Sequence, residues 1–297
     1  MAVARALAGV TPRVLLLGGS GQLGTELQRY ASARWDIAAP DREKLDVSDL
    51  ARLAASVAEL QPDLVVNATA FHVVDFCETH FSEALATNAV AVSILAKACE
   101  RLGARFVTIS TDYAFDGMTR FPYKETDPAK PIQCYGISKV AGEFTALAAH
   151  PAGAYVVRTC GLYGHAESRQ KSGNFVLNRL RDGTGRAELE VGCDLVCTPT
   201  AAADLAVAIV DLLGSDAPAG LYHLTNEGSC DWASFTTEIF RLAGLPTRVV
   251  RVDRGGVYGP AQRPPFSVLD CSKARAHTVN LGSWQEALAA YIRSVCH

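Results

Sequence analysis

An apolar run at residues 13–17 passes directly into Gly18-Gly19-Ser20-Gly21-Gln22-Leu23-Gly24, and a helical pattern starts near Thr25. This strand, glycine turn and helix restrict the fold more than any other stretch of the chain. Glycines spaced in this way bring backbone N–H groups together at the positive end of a helix, which suits a pyrophosphate. Gly18 permits the tight turn, Gly21 lets the backbone approach the ligand, and Gly24 allows helix and strand to pack closely. Gln22 and Leu23 fall at the same helix start and are expected to face the cofactor with them. Glycines alone also suit a plain structural turn, but the order of elements near the N-terminus favours dinucleotide binding.

The rest of the chain extends this unit. Buried strands are expected at 63–67, 105–110 and 154–159, alternating with amphipathic helices, and this rhythm implies a parallel sheet with crossover helices. One helix, expected over 81–102, places Leu85, Val92, Leu95 and Cys99 on one face and ends at Gly103, a residue suited to a left-handed cap. Beyond Thr159 the regularity weakens into glycine-bearing loops, with helices again near 200–213 and 231–243. The expected fold is α/β, a Rossmann-like doubly wound parallel sheet with a smaller C-terminal substrate-binding lobe. Residues 1–12 read as a loose leader, 13–160 as the dinucleotide-binding domain, and 161–297 mainly as the substrate lobe, with some segments returning to the first domain.

Composition narrows the partners. The chain has 28 basic and 31 acidic residues with no single-signed stripe, so nucleic acid is not an expected partner. The apolar stretch 201–213 is interrupted by Asp204 and Asp211, so no membrane span is expected. An odd count of nine cysteines, scattered through apolar segments, reads as reduced cytoplasmic thiols. Cys193 and Cys197 lack a second cluster at zinc spacing, and no metal site is expected. A monomer or homodimer is expected.

The second strand, near 36–39, leads to Asp41-Arg42, where a ribose-reading residue belongs. Asp41 suits an unmodified ribose, whereas Arg42 suits a 2′-phosphate. NADPH is the expected cofactor, with NADH as the alternative. Asp46 and Val47 precede a helix expected near Ser48, where Asp46 serves either as N-terminal charge or as an adenine contact.

Tyr135 and Lys139 open a further helix, and their four-residue spacing puts phenol and ammonium on one face. A free tyrosine has a pKa near 10, so acid–base work near neutrality is helped by an adjacent cation. Ser110-Thr111-Asp112-Tyr113 lies at the carboxyl end of an expected parallel strand, where ligands bind in open α/β sheets. Thr111 there can hydrogen-bond a carbonyl oxygen beside Tyr135, and the three residues are expected to form the catalytic group.

With these residues in view, the chain resembles the extended short-chain dehydrogenases and, within them, the dTDP-4-dehydrorhamnose reductase family. The resemblance covers nearly the whole chain through GGSGQLG, NATAFHVVDFCE, STDYAFDG, YGISKVAGE, VVRTCGLYG, GNFV, CTPTAAADLA, GLYHLTNEGSCDW and RPPFSVLD. It implies NAD(P)H-dependent reduction of the 4-keto group of a nucleotide-linked 6-deoxysugar, dTDP-4-dehydro-L-rhamnose to dTDP-L-rhamnose. Carried over by position, Tyr135 is the proton donor, Lys139 its electrostatic partner and nicotinamide-ribose ligand, and Thr111 the hydroxyl that tunes them. Ala68, Thr69 and Ala70 would line the cofactor. Asp112, Tyr113, Gly161, Asn174, Phe175, Pro199 and Arg263 would lie near the nucleotide sugar, Arg263 suiting a diphosphate.

Three departures from the family pattern bear on the sugar and base pocket. Gly161 stands where many members have Trp, and Leu195 and Cys197 replace the usual Gln and Gly before Pro199-Thr200. Two rival readings are a nucleotide-sugar epimerase and a cofactor-binding regulatory subunit resembling the methionine adenosyltransferase β-subunit. Dehydration is disfavoured because Asp112 is followed by Tyr113 and not by a second carboxylate.

Overall fold

Val14 and Leu16 point to one side of the first strand, Leu15 and Leu17 to the other, and all four are buried. A strand with apolar residues on both faces must be covered on both, which is the condition of a sheet inside two helical layers. The computed structural model describes residues 11–166 and 173–296. The expected leader lies outside them except for its last two residues.

The first strands are β1 (Arg13–Leu17), β2 (Asp36–Ala38), β3 (Leu64–Asn67), β4 (Arg105–Thr111) and β5 (Ala154–Thr159). The short strands β6 (Leu162–Tyr163), β7 (Glu188–Gly192), β8 (Val196–Cys197) and β9 (Thr200–Ala201) follow, and then β10 (Gly220–His223). The main sheet runs β10-β5-β4-β3-β1-β2, with every pairing parallel. The strand order turns back between β1 and β3, so a crevice opens at their carboxyl ends, the usual ligand position of a doubly wound sheet.

Two apolar layers sandwich the sheet. On one side α1 (Gln22–Ala31) contributes Leu23 and Leu27 to the same cluster as Val14 and Leu16. On the other, α2 (Leu50–Leu60) contributes Leu53 and Val57 alongside Leu15 and Leu17. The short α3 (Val74–Cys77) and α4 (Phe81–Leu85) lead to α5 (Ala91–Leu102), whose Val92, Leu95 and Cys99 join that second layer. The expected helix 81–102 is interrupted by one wide turn at Ala86–Val90 and ends at Gly103 with φ +68°. The buried Asn88 lies in this turn, donating to Phe71 O at 3.0 Å and Ser138 Oγ at 2.9 Å and accepting from Phe71 N at 2.9 Å. A polar anchor on an otherwise apolar helix face is invisible to periodicity, and wide turns of this kind recur near functional sites.

After α6 (Cys134–Ala149) and α7 (Phe175–Gly183), α8 (Ala202–Gly214) packs back on α1 through Leu205, Ile209 and Leu213. A third core holds Val176, Val191, Phe235, Ile239 and Leu288. It lies among α7, β7, α9 (Trp232–Ala243), β12 (Arg248–Val252) and α11 (Trp284–Cys296), with β11 (Cys230–Asp231) at its edge, while α10 (Ser272–Arg275) packs on β10. Asp231 accepts from Ser234 N at 2.9 Å and so caps α9. Among the described residues, no helix is long and apolar enough to cross a membrane.

Candidate active site

The glycine turn closes as its composition demands. Gly18 has φ +83°, a conformation that side chains resist, and its carbonyl accepts from Gly21 N at 3.0 Å. Gly21 caps α1 without any side-chain hydrogen bond, and no acidic residue occupies the first turn. The helix starts at Gln22, earlier than its apolar pattern suggested, so its open N–H groups face the crevice ready for an anion. A Cβ on Gly24 would stand 2.2 Å from the Gly18 carbonyl oxygen and 2.7 Å from Gly19 Cα, contacts with backbone that cannot swing away. Gly24→Ala should therefore cost about 1–3 kcal/mol of stability and weaken dinucleotide binding, readable by denaturant unfolding and fluorescence titration.

A cavity of about 940 Å³ extends from this turn across the carboxyl ends of the strands. Gly18, Gly21, Gln22 and Leu23 line it, as do Asp41, Arg42, Asp46, Val47, Ala68, Thr69 and Ala70. Gly24 does not, since it packs within the turn. The helix α2 starts at Leu50 rather than near Ser48, and Asp49, not Asp46, caps it by accepting from Arg52 N at 3.3 Å. That leaves Asp46 to take Arg42 Nε at 2.7 Å and the amide and hydroxyl of Ser48 at 2.8 and 2.7 Å. Asn67 Oδ1 accepts from Thr69 N at 3.2 Å and Thr69 Oγ1 at 2.6 Å, while Asn88 clamps Phe71. The wall 68–71 is thereby fixed at both ends. An open helix start, a glycine cradle with no room for side chains and an exposed arginine beside the second strand together fit a phosphorylated dinucleotide.

The end of β4 and the start of α6 form the facing wall. Thr111, Tyr135 and Lys139 all line the cavity. Thr111 Oγ1 accepts from Tyr113 N at 3.1 Å, shares a hydrogen bond of 3.1 Å with Asp112 Oδ1 and is hydrogen-bonded to the Tyr135 side chain. The Tyr135 ring meets Tyr113 edge to face, with centroids 6.2 Å apart. Burial, and then the neighbouring Asp112 carboxyl, push the Tyr135 phenol above its ordinary range, with Thr111 pulling the other way. The lowering expected from Lys139 does not figure among these influences, and the phenol stays protonated.

Lys139 is only 4% exposed, and burial lowers its pKa to about 8 against the opposing charge of Glu143. Glu143 is itself buried, taking Arg158 Nε at 2.8 Å, Arg158 Nη2 at 2.5 Å and Ser110 Oγ at 2.5 Å. The sequence reading missed this carboxylate. Its signal was the spacing in YGISKVAGE, which places Glu143 one helical turn beyond Lys139 on the same face.

The rest of the cavity wall joins the end of β4 to segments beyond Thr159. Asp112, Tyr113, Gly161, Asn174 and Phe175 line the cavity. Gly161 has φ +55°, and a Cβ there would lie 3.2 Å from the Trp232 ring and 3.3 Å from Pro199 Cα. Trp232, which the sequence reading did not single out, faces Phe175 with ring centroids 4.4 Å apart and lines the cavity with Leu195 and Cys197. Asn174 caps α7 through Leu177 N at 3.0 Å and donates to Gly164 O at 2.7 Å and Tyr291 Oη at 2.8 Å. Its side chain is therefore held by the protein.

Two expected contacts stand back from the cavity wall. Pro199 packs behind Gly161. Arg263 is drawn to Asp75 Oδ1 at 3.0 Å and Ala261 O at 2.9 Å, because a mostly buried guanidinium takes the nearest carboxylate and carbonyl.

The model of the RmlD substrate binding domain matches residues 12–296. The dTDP-4-dehydrorhamnose reductase of Streptomyces griseus is 38% identical over 292 residues, covering 96% of this chain and 94% of that protein. The spore coat polysaccharide biosynthesis protein SpsK of Bacillus subtilis is 35% identical over 282 residues, covering 95% of this chain and 97% of its own length. Among solved structures, dTDP-4-dehydrorhamnose reductase of Bacillus anthracis in complex with NADP has a TM-score of 0.90 at 33% identity, covering 96% of this chain and 100% of that one. The chain belongs to the RmlD substrate binding domain family, in the company of these dTDP-4-dehydrorhamnose reductases.

Proposed function

We propose that the chain is an NADPH-dependent reductase that converts dTDP-4-dehydro-L-rhamnose to dTDP-L-rhamnose, with NADH as its alternative cofactor. The observation that carries this reading is one cavity with an open phosphate-type helix start on one wall and the Thr111, Tyr135 and Lys139 side chains on the other. Bound cofactor supplies a hydride to the keto carbon. Tyr135 gives its phenolic proton to the keto oxygen, and burial keeps that proton in place until then. The Lys139 ammonium stabilises the phenolate left behind and holds the nicotinamide ribose, while Thr111 keeps the phenol aimed into the cavity. Tyr113, Gly161 and Phe175 bound the sugar and base, with Asn174 fixing the backbone beside them.

The cofactor-binding unit in this reading is residues 13–160 together with the returning α8 and β10, and the remaining segments form the substrate lobe. A cytoplasmic monomer or homodimer fits the nine free cysteines.

Arg42 is the cofactor-selecting residue in this account. Its guanidinium is exposed and, among the described residues, tethered to Asp46 alone, where it can meet a 2′-phosphate. Arg42→Ala should reduce the preference for NADPH over NADH by about tenfold, measured as the ratio of the two kcat/KM values. The function itself is tested by counting reduced nicotinamide against sugar. One NADPH consumed per 4-keto sugar supports the reductase; turnover without net consumption indicates an epimerase, and binding without turnover a regulatory subunit.

A further inference from the structure

Asp112 is a buried carboxyl to which the reduction assigns no task. It is 4% exposed, and its Oδ2 accepts from Ser267 Oγ at 2.5 Å and Cys160 Sγ at 3.0 Å. Its Oδ1 lies 3.1 Å from Thr111 Oγ1, which already accepts from Tyr113 N and is hydrogen-bonded to Tyr135.

A hydroxyl has one hydrogen and two lone pairs. The Tyr113 amide fills one lone pair of Thr111, so one hydrogen and one lone pair remain to be divided between Asp112 and Tyr135. An ionised Asp112 can only accept and would take the hydrogen. Tyr135 would then have to donate its own proton to Thr111, away from the substrate. A neutral Asp112 reverses both bonds: its carboxylic hydrogen fills the last lone pair of Thr111, Thr111 donates to the Tyr135 oxygen, and the phenolic hydrogen is left for the keto oxygen.

We propose that Asp112 is a positioning residue that works as a neutral acid, setting the direction of the Asp112, Thr111 and Tyr135 hydrogen bonds so that the Tyr135 hydrogen faces the substrate. The proposal rests on the reductase reading for its kinetic consequence. The surroundings agree with it. The titratable groups around Asp112 are Tyr113, Tyr135 and Cys160, with Cys197 behind Cys160 and Arg263 acting on Tyr113. The side chains hydrogen-bonded to Asp112 are hydroxyls and a thiol, not cations. Burial pushes its carboxyl upward against the pull of Ser267, Cys160 and Thr111. Its neighbour Cys197 and burial push the Cys160 thiol upward, so it keeps the one S–H that it donates to Oδ2.

Two measurements test this. The infrared difference spectrum of the wild-type chain minus Asp112→Asn at neutral pH reads the carboxyl directly, without turnover. A protonated-acid C=O band is expected, and a carboxylate band in its place overturns the proposal. In the kinetic arm, an asparagine amide N–H reproduces the donation to Thr111, so Asp112→Asn should keep turnover within about tenfold of wild type, while Asp112→Ala loses on the order of 10²-fold. An asparagine variant as impaired as the alanine variant overturns the proposal. If the wild type itself leaves NADPH unoxidised with the 4-keto sugar, the reductase reading fails, and the infrared band still decides the state of Asp112.

Discussion

Tyr135→Phe lowers turnover of the 4-keto sugar by about 10²–10⁴-fold, or roughly 3–5 kcal/mol of transition-state stabilisation, and leaves NADPH affinity within about twofold. The asymmetry follows from the position of the phenol. Its oxygen is bonded to Thr111 and open to the cavity, while its ring packs against Tyr113, a contact that phenylalanine retains. The substitution therefore removes one proton donor and little packing. The proton matters when negative charge develops on the keto oxygen, so kcat falls and cofactor binding does not. Single-turnover absorbance measurements and a cofactor titration check both halves. Equal turnover in the variant would remove Tyr135 from the chemistry.

Glu143→Gln is expected to cost about 3–5 kcal/mol of stability and to shift the pH dependence of reduction. The carboxylate neutralises a buried Arg158 through two hydrogen bonds, and its removal strands that guanidinium. His223, 3.5 Å from Arg158 and held neutral by burial and then the Arg158 charge with a pKa of about 3, brings no negative charge to replace it. The same carboxylate supports the charge on Lys139, whose pKa of about 8 reflects burial working against Glu143.

Lys139 is charged below about pH 8, so kcat/KM declines as pH rises through that value. Without Glu143 the decline moves to lower pH. The stability contribution of Lys139 runs the opposite way. Between about 8 and 10.5 the unfolded chain holds a proton that the folded chain has released, so this group's contribution to stability increases with pH across that window. An unchanged kcat/KM profile in Glu143→Gln would break the link between the two side chains.

Much of this architecture is legible before folding, because it depends on local patterns. The alternating apolar residues of 13–17, the glycine turn and the Tyr135 to Lys139 spacing each encode their own geometry. What resists reading is fixed by contacts distant in sequence. Asn88 widens a helix by bonding across to Phe71 and Ser138, and Asp112 depends on Ser267, more than a hundred residues later. The start of α1 was misjudged because Gln22 opens a helix whose first turn carries no cap residue. Arg263 looked suited to a diphosphate on its chemistry alone, but Asp75, from a different part of the chain, holds it. Trp232 was passed over because no local signal distinguishes a cavity aromatic from a core one.

The most direct measurement of the central claim follows the hydride itself. NADPH deuterated at nicotinamide C4 is turned over with dTDP-4-dehydro-6-deoxy-L-mannose and purified protein, and the sugar is analysed by NMR and mass spectrometry. The account predicts one deuterium at sugar C4 of dTDP-L-rhamnose, with one cofactor oxidised per molecule and the label lost from product in Tyr135→Phe for want of turnover. Recovery of unlabelled sugar with the cofactor still reduced would contradict it.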